Sequence, residues 1–188
     1  MANEGLTRDS LARHYLDDAI AELRKYKAFG DKAVKQVTDE DFFRQLDPES
    51  NSIALVMKHI SGNLRSRWTD FLTTDGEKAD RNRDTEFERA ANDSRESIVA
   101  RWEEGWRTLF QALEPLGSDD LQRTVMIRGE PHTVVQAINR QLTHYASHIG
   151  QIVFLAKHFA GDRWRTLSIP RGKSKEFDVT KAGAPYRA

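Results

Sequence analysis

The clearest helical period in the chain lies in residues 134–159, VVQAINRQLTHYASHIGQIVFLAKHF. Val134, Ile138, Leu142, Tyr145, Ile149, Ile152 and Ala156 fall at steps of three and four, so they line one face of a helix. Thr133 stands where a cap would open that helix, and Gly161 stands where one would close it. Beside the apolar stripe runs a second row, Ala137, Gln141, His144, His148, Ile152 and Leu155. It places two imidazoles on the shoulder of a core, one turn apart, about 5–6 Å between Cβ atoms. That spacing lets both rings reach one cation at about 2.0–2.1 Å. The spacing alone is weak evidence, because six histidines in 188 residues give about 0.2 such pairs by chance. Burial strengthens it, since an imidazole on a core shoulder needs a partner.

Working outward, three more helices appear. Residues 94–116 carry Ile98, Trp102, Trp106, Leu109 and Leu113 on one face, with Pro115 and Gly117 marking the end. Ser52 caps a helix expected to run to about Thr74, with the stripe Ile53, Val56, Met57, Ile60, Leu64, Trp68 and Phe71. Its neighbouring row, Val56, His59 and Asn63, brings a third histidine to a core edge. Residues 7–36 carry Leu16, Ile20, Leu23 and Tyr26, and Thr7 or Asp9 serves as cap. Thr38 followed by Asp41 resembles a capping box for a short turn holding Phe42 and Phe43. Between the second and third long helices, residues 75–93 are charged and without apolar period. This connection is too long for a tight turn and reads as a crossover along a bundle. Thr124–Ile127 followed by the turn text RGEP predicts a small two-stranded ribbon before the last helix.

The expected fold is therefore all-α: a four-helix bundle over residues 1–161, with a small β-ribbon. Residues 162–188 are expected to form a strap and, beyond Phe177, a loose tail of the same domain.

Lys plus Arg and Asp plus Glu are both 29. A net charge of zero offers no general attraction to nucleic acid or an anionic membrane, so neither is expected as a partner. The chain has no cysteine, which excludes disulfides, thiolate ligands and a cysteine nucleophile. No apolar run suits a membrane span, and the opening residues lack the apolar core of a signal peptide. A cytoplasmic protein is expected.

The blocks KHISGNLRSRWTDFLTTDGEK, RNRDTEF, HYASHIGQIVFLAKH and LSIPRGKSKEF, in that order, resemble the DinB-like superfamily of damage-inducible bacterial proteins, and within it an uncharacterised branch. The resemblance covers about residues 7–178. It implies an up-down-down-up arrangement, for which the long charged connection is required. It also implies a metal triad of His59, His144 and His148, an ion that is typically nickel or zinc, and a homodimer. Better-understood relatives activate a low-molecular-weight thiol in transfer or isomerisation reactions.

Two classes of function follow. One is a metal-dependent enzyme acting on a small-molecule substrate, a thiol S-transferase or else a hydrolase. Here Asn63, Gln141 and Gln151 would orient a ligand ring or touch substrate or cofactor. Arg65 and Arg67 would meet an anionic substrate, or else form the solvated side of an amphipathic helix. The other is a non-catalytic stress-response or dimeric structural protein, in which a metal pins two helices together. His14, His132 and His158 lack partners at ligand spacing and are read as surface or packing residues.

Overall fold

The computed structural model describes residues 7–178, so the tail expected beyond Phe177 falls almost wholly outside the described residues. The chain is mostly helical, with five helices and a two-stranded antiparallel sheet just before the last of them. In order these are α1 (Arg8–Val34), α2 (Asp39–Phe43), α3 (Ile53–Trp68), α4 (Arg95–Leu113), β1 (Thr124–Ile127), β2 (Glu130–Thr133) and α5 (Val134–Ala160). Each helix starts at a hydroxyl that accepts a hydrogen bond from the first turn: Thr7, Thr38, Ser52, Ser94 and Thr133. At Thr133 the bond is reciprocated by Gln136, so two backbone N–H groups that the helix itself cannot satisfy find partners.

The second long helix ends six residues before the expected Thr74. Thr69 turns to an extended conformation and Asp70 adopts a positive φ of 49°. Phe71 keeps the apolar spacing and is buried, but from a turn rather than from the helix. A side chain that continues a stripe by position alone misled the periodicity there. The third long helix likewise stops at Leu113, three residues short of Leu116.

Helix α1 lies along α5, α4 lies along α3, and α3 also meets α5. Their apolar stripes converge in one core, with Leu16 and Leu23 from α1, Ile60 and Leu64 from α3, Trp102 and Trp106 from α4, and Ile138, Tyr145 and Ile149 from α5. Fully burying each such side chain contributes roughly 1.5–3 kcal/mol, which is what holds otherwise marginal helices together. The hairpin turns through Arg128 and Gly129, both at positive φ. Its backbone N–H groups donate to the Asp75 carboxylate, at 2.9 Å from Arg128 and 2.7 Å from Gly129. The ribbon is thereby fastened to the connection between α3 and α4. After α5, Arg165 and Gln36 exchange hydrogen bonds of 2.6 and 3.1 Å, tying residue 165 to the end of α1. Among the described residues, no helix is long and apolar enough to cross a membrane.

Candidate functional site

His59 projects from α3, and His144 and His148 project from α5 on adjacent turns. One ring nitrogen from each lies within 4.8 Å of the other two, so this group could hold a metal ion. His59 Nε2 and His144 Nε2 are 3.3 Å apart. Two donors sharing one ion at about 2.0–2.1 Å stand that far apart when the angle between them is near tetrahedral.

The ring orientations follow from what each remaining nitrogen meets. A carboxylate only accepts, so Glu86 Oε2, 2.9 Å from His59 Nδ1, places the proton there and leaves the Nε2 lone pair facing His144. Gln151 Oε1, 3.2 Å from His148 Nδ1, acts in the same way on the third ring. Such partners fix the tautomer and raise ligand basicity. Burial, then the neighbouring His148, His59, Arg81 and Arg67, hold His144 far below the usual imidazole value, at about 3. Burial also lowers His148. Both rings are therefore neutral at physiological pH, as ligands must be. His144 Nδ1 is buried without a hydrogen-bond partner.

Glu86 is the member of the candidate site that sequence reasoning missed. It sits in a short 3-10 turn, Asp84–Phe87, within the charged connection. Burial would raise its carboxyl, but hydrogen bonds from His59 and Arg81 outweigh that and hold it below the ordinary carboxylate range. Arg81 grips it with Nε to Oε1 at 2.8 Å and Nη2 to Oε2 at 2.9 Å. A Cβ at Gly62 would lie 2.1 Å from Glu86 Oε1, so only glycine leaves room for this carboxylate against α3. The clue was Phe87, an aromatic in an otherwise charged run. It stacks on the His59 ring with centroids 4.7 Å apart.

The structure places the three polar residues expected near the histidines differently. Gln151 is exposed and meets His148. Gln141 is buried, its Oε1 has no partner, and it lines a pocket shared with His59 and His144. Asn63 lines the same pocket and belongs to a buried relay. Trp68 Nε1 can only donate, so Tyr145 Oη accepts from it at 3.0 Å and must donate to Asn63 Oδ1 at 2.8 Å. Asn63 Nδ2 is the end of the amide that remains.

The two arginines of α3 part company. Arg65 is exposed and paired with Asp80, on the solvated side of the helix. Arg67 is 3% exposed, with Nε and Nη1 lacking partners, and lines the pocket beside the histidines. His59, Asn63 and Arg67 are successive members of one i,i+4 row, so the sequence already contained this signal. His14 and His158 lie at the exposed surface, and His132 Nδ1 meets the Glu130 carbonyl at 3.0 Å.

The chain belongs to the family described as Protein of unknown function (DUF1572), whose pattern matches residues 10–173. No curated protein and no solved structure matches the chain.

Proposed function

We propose that this member of the DUF1572 family is a metal-dependent enzyme of DinB-like type, a transferase that uses a low-molecular-weight thiol. The observation that carries the reading is the convergence of His59, His144 and His148, with Glu86 and Gln151 turning two of the rings toward a common point. The DinB-like bundle, with its up-down-down-up order, is supported by four long helices and the long connection from 69 to 94. A divalent ion, nickel or zinc by the resemblance, would be held by His59, His144 and His148 and would lower the pKa of a bound water or thiol toward neutral.

The chain's own residues do the rest. Three neutral imidazoles would leave the charge of a divalent ion uncompensated. His144, kept unprotonated by burial and by its cationic neighbours, offers its lone pair without first losing a proton. Glu86 and Gln151 hold ring orientation. The pocket opens beside His59 and His144, on the side a substrate would approach. With no cysteine in the chain, a thiol must come from solution. The homodimer implied by the resemblance has one physical support: Phe154, 64% exposed, and Leu46, 44% exposed, border a shallow hollow with Gln151.

His148→Ala tests the reading. The expected result is loss of bound metal and of thiol transfer to a model electrophile, with the helical fold retained. A wild-type protein that binds metal but turns over no common thiol would refute the transferase and leave hydrolysis as the enzymatic reading. A variant that loses chiefly melting temperature would make the metal a structural pin between α3 and α5.

A further inference from the structure

The pocket beside the histidines encloses about 360 Å³ and is lined by Arg67, Arg81, Arg83, Arg128 and Arg140. Five guanidinium groups around one hollow need an account in a chain whose net charge is zero. Two of them are answered by carboxylates. Arg81 holds Glu86 and Glu77, and Arg128 holds Glu77. Arg67, Arg83 and Arg140 have no carboxylate within ion-pair distance among the described residues. Arg83 and Arg140 are exposed, so water satisfies them.

Arg67 has no such relief. Its side chain is buried, Nε and Nη1 are sealed off and donate to nothing, and Nη2, not among the sealed atoms, is the nitrogen left to meet a ligand in the pocket. A buried, unpaired cation is among the most costly arrangements a fold can hold, so its persistence calls for an anion. The surroundings are shaped to it. A Cβ at Gly76 would fall 2.6 Å from Arg67 Nη1, so the bare backbone of Gly76 leaves this head its present place against the connection. Asn63 adds a donor, because the Trp68–Tyr145 relay takes up its oxygen. The pocket therefore presents donors and positive charge to whatever enters, and His59 and His144 line the same hollow.

We propose that this pocket binds the phosphate group of a small-molecule substrate, held by Arg67, Arg83 and Arg140. Three unanswered charges exceed what one carboxylate neutralises and suit a dianion. The planar donor fork of arginine matches the oxygens of phosphate in pairs. The volume leaves room for the rest of a small molecule beside His59 and His144. The assignment rests on the histidines being the reacting centre, since it makes the arginines the anchor that presents the other end of the substrate to them.

Inorganic phosphate, titrated calorimetrically at low ionic strength into the protein as purified, is the probe, with metal content measured in parallel. Phosphate should bind and should raise the melting temperature. Acetate should bind at least about tenfold more weakly. R83A/R140A should lose about tenfold or more in phosphate affinity while its metal content stays unchanged, since each charge-assisted bond is worth about that much. Arg67→Met, which keeps the apolar stem, should remain folded and show no phosphate-dependent rise in melting temperature. H148A should keep its phosphate affinity while losing metal, so the fate of the pocket and the fate of the metal centre are read separately. Absence of phosphate binding overturns the proposal, as does equal affinity for acetate. Binding that survives R83A/R140A but disappears with the metal in H148A places the anion on the ion and overturns it as well.

Discussion

Replacing Glu86 by glutamine tests the candidate site most sharply, because it removes one charge and little volume. In the wild type the carboxylate accepts from His59 Nδ1 and from two nitrogens of Arg81, all at 2.8–2.9 Å. Glutamine retains one acceptor oxygen and turns an N–H₂ toward a nitrogen that already donates. Its oxygen can still accept from His59 Nδ1, as Gln151 does from His148, but the ring loses the negative charge that raises its basicity, and metal affinity should fall about tenfold, or about 1.4 kcal/mol. Fold stability should also fall. Arg81, whose side chain is 5% exposed, keeps only Glu77 at 3.4 Å as a carboxylate partner. A hydrogen bond to a charged group is worth about 1.5–3 kcal/mol. Relief of the buried carboxylate's own desolvation offsets part of this, so a net loss of about 1–3 kcal/mol is expected, some 3–10 °C in melting temperature. Gly62→Ala separates position from charge, since its new carbon would sit 2.1 Å from Oε1 and displace an intact carboxylate. The assay is competition for zinc or nickel against a chromophoric chelator, beside thermal melting of the chelator-treated protein. If both variants hold metal within twofold of wild type, Glu86 does not orient His59 and the argument built on it fails.

Three further outcomes are expected. Tyr145→Phe leaves the buried Trp68 Nε1 and Asn63 Oδ1 without their shared hydroxyl; unfolding in urea should show a loss of about 1–3 kcal/mol, and an unchanged midpoint would refute the relay. Arg95 donates to the carbonyls of Val34 and Val37 at the end of α1, at 2.6 and 3.0 Å; Arg95→Ala should cost about 1–2 kcal/mol and speed amide exchange in residues 31–37 first, whereas uniform exchange across α1 would contradict that clamp. Burial would raise Asp93, but hydrogen bonds from Lys58, Arg101 and the Ala90 N–H hold it down at about 2, against an ordinary 3.8. Its folded value lies below its unfolded one, so its contribution is complete above pH 3.8 and is lost as pH falls through about 2. Melting temperatures of Asp93→Asn should therefore be lower at neutral pH and fall less steeply in that acid window, and parallel curves would refute the assignment.

Local patterns carried far because their physics is local. The caps at Thr7, Ser52 and Thr133 are hydrogen bonds spanning three residues, and the stripe of α5 is set by helical pitch, so each is written in adjacent residues. The pairing of His144 with His148 is of the same kind. That His59 stands across from them required a fold in which α3 meets α5; the sequence placed it only on a core edge. Phe71 lies beyond the reach of periodicity, because a turn buries a side chain that spacing alone assigns to a helix.

By itself, then, the sequence determined the helices, the ribbon, and which histidines look inward, since those depend on spacing along one backbone. Tertiary structure alone decided that Glu86 reaches His59 across 27 residues, that Arg67 is buried while Arg65 is solvated, and that five arginines share one hollow. Charged connections have no period to read. Where they fold back is fixed by long-range pairing of charge and by the room that Gly62 and Gly76 leave for it, and neither is encoded in any short stretch of chain.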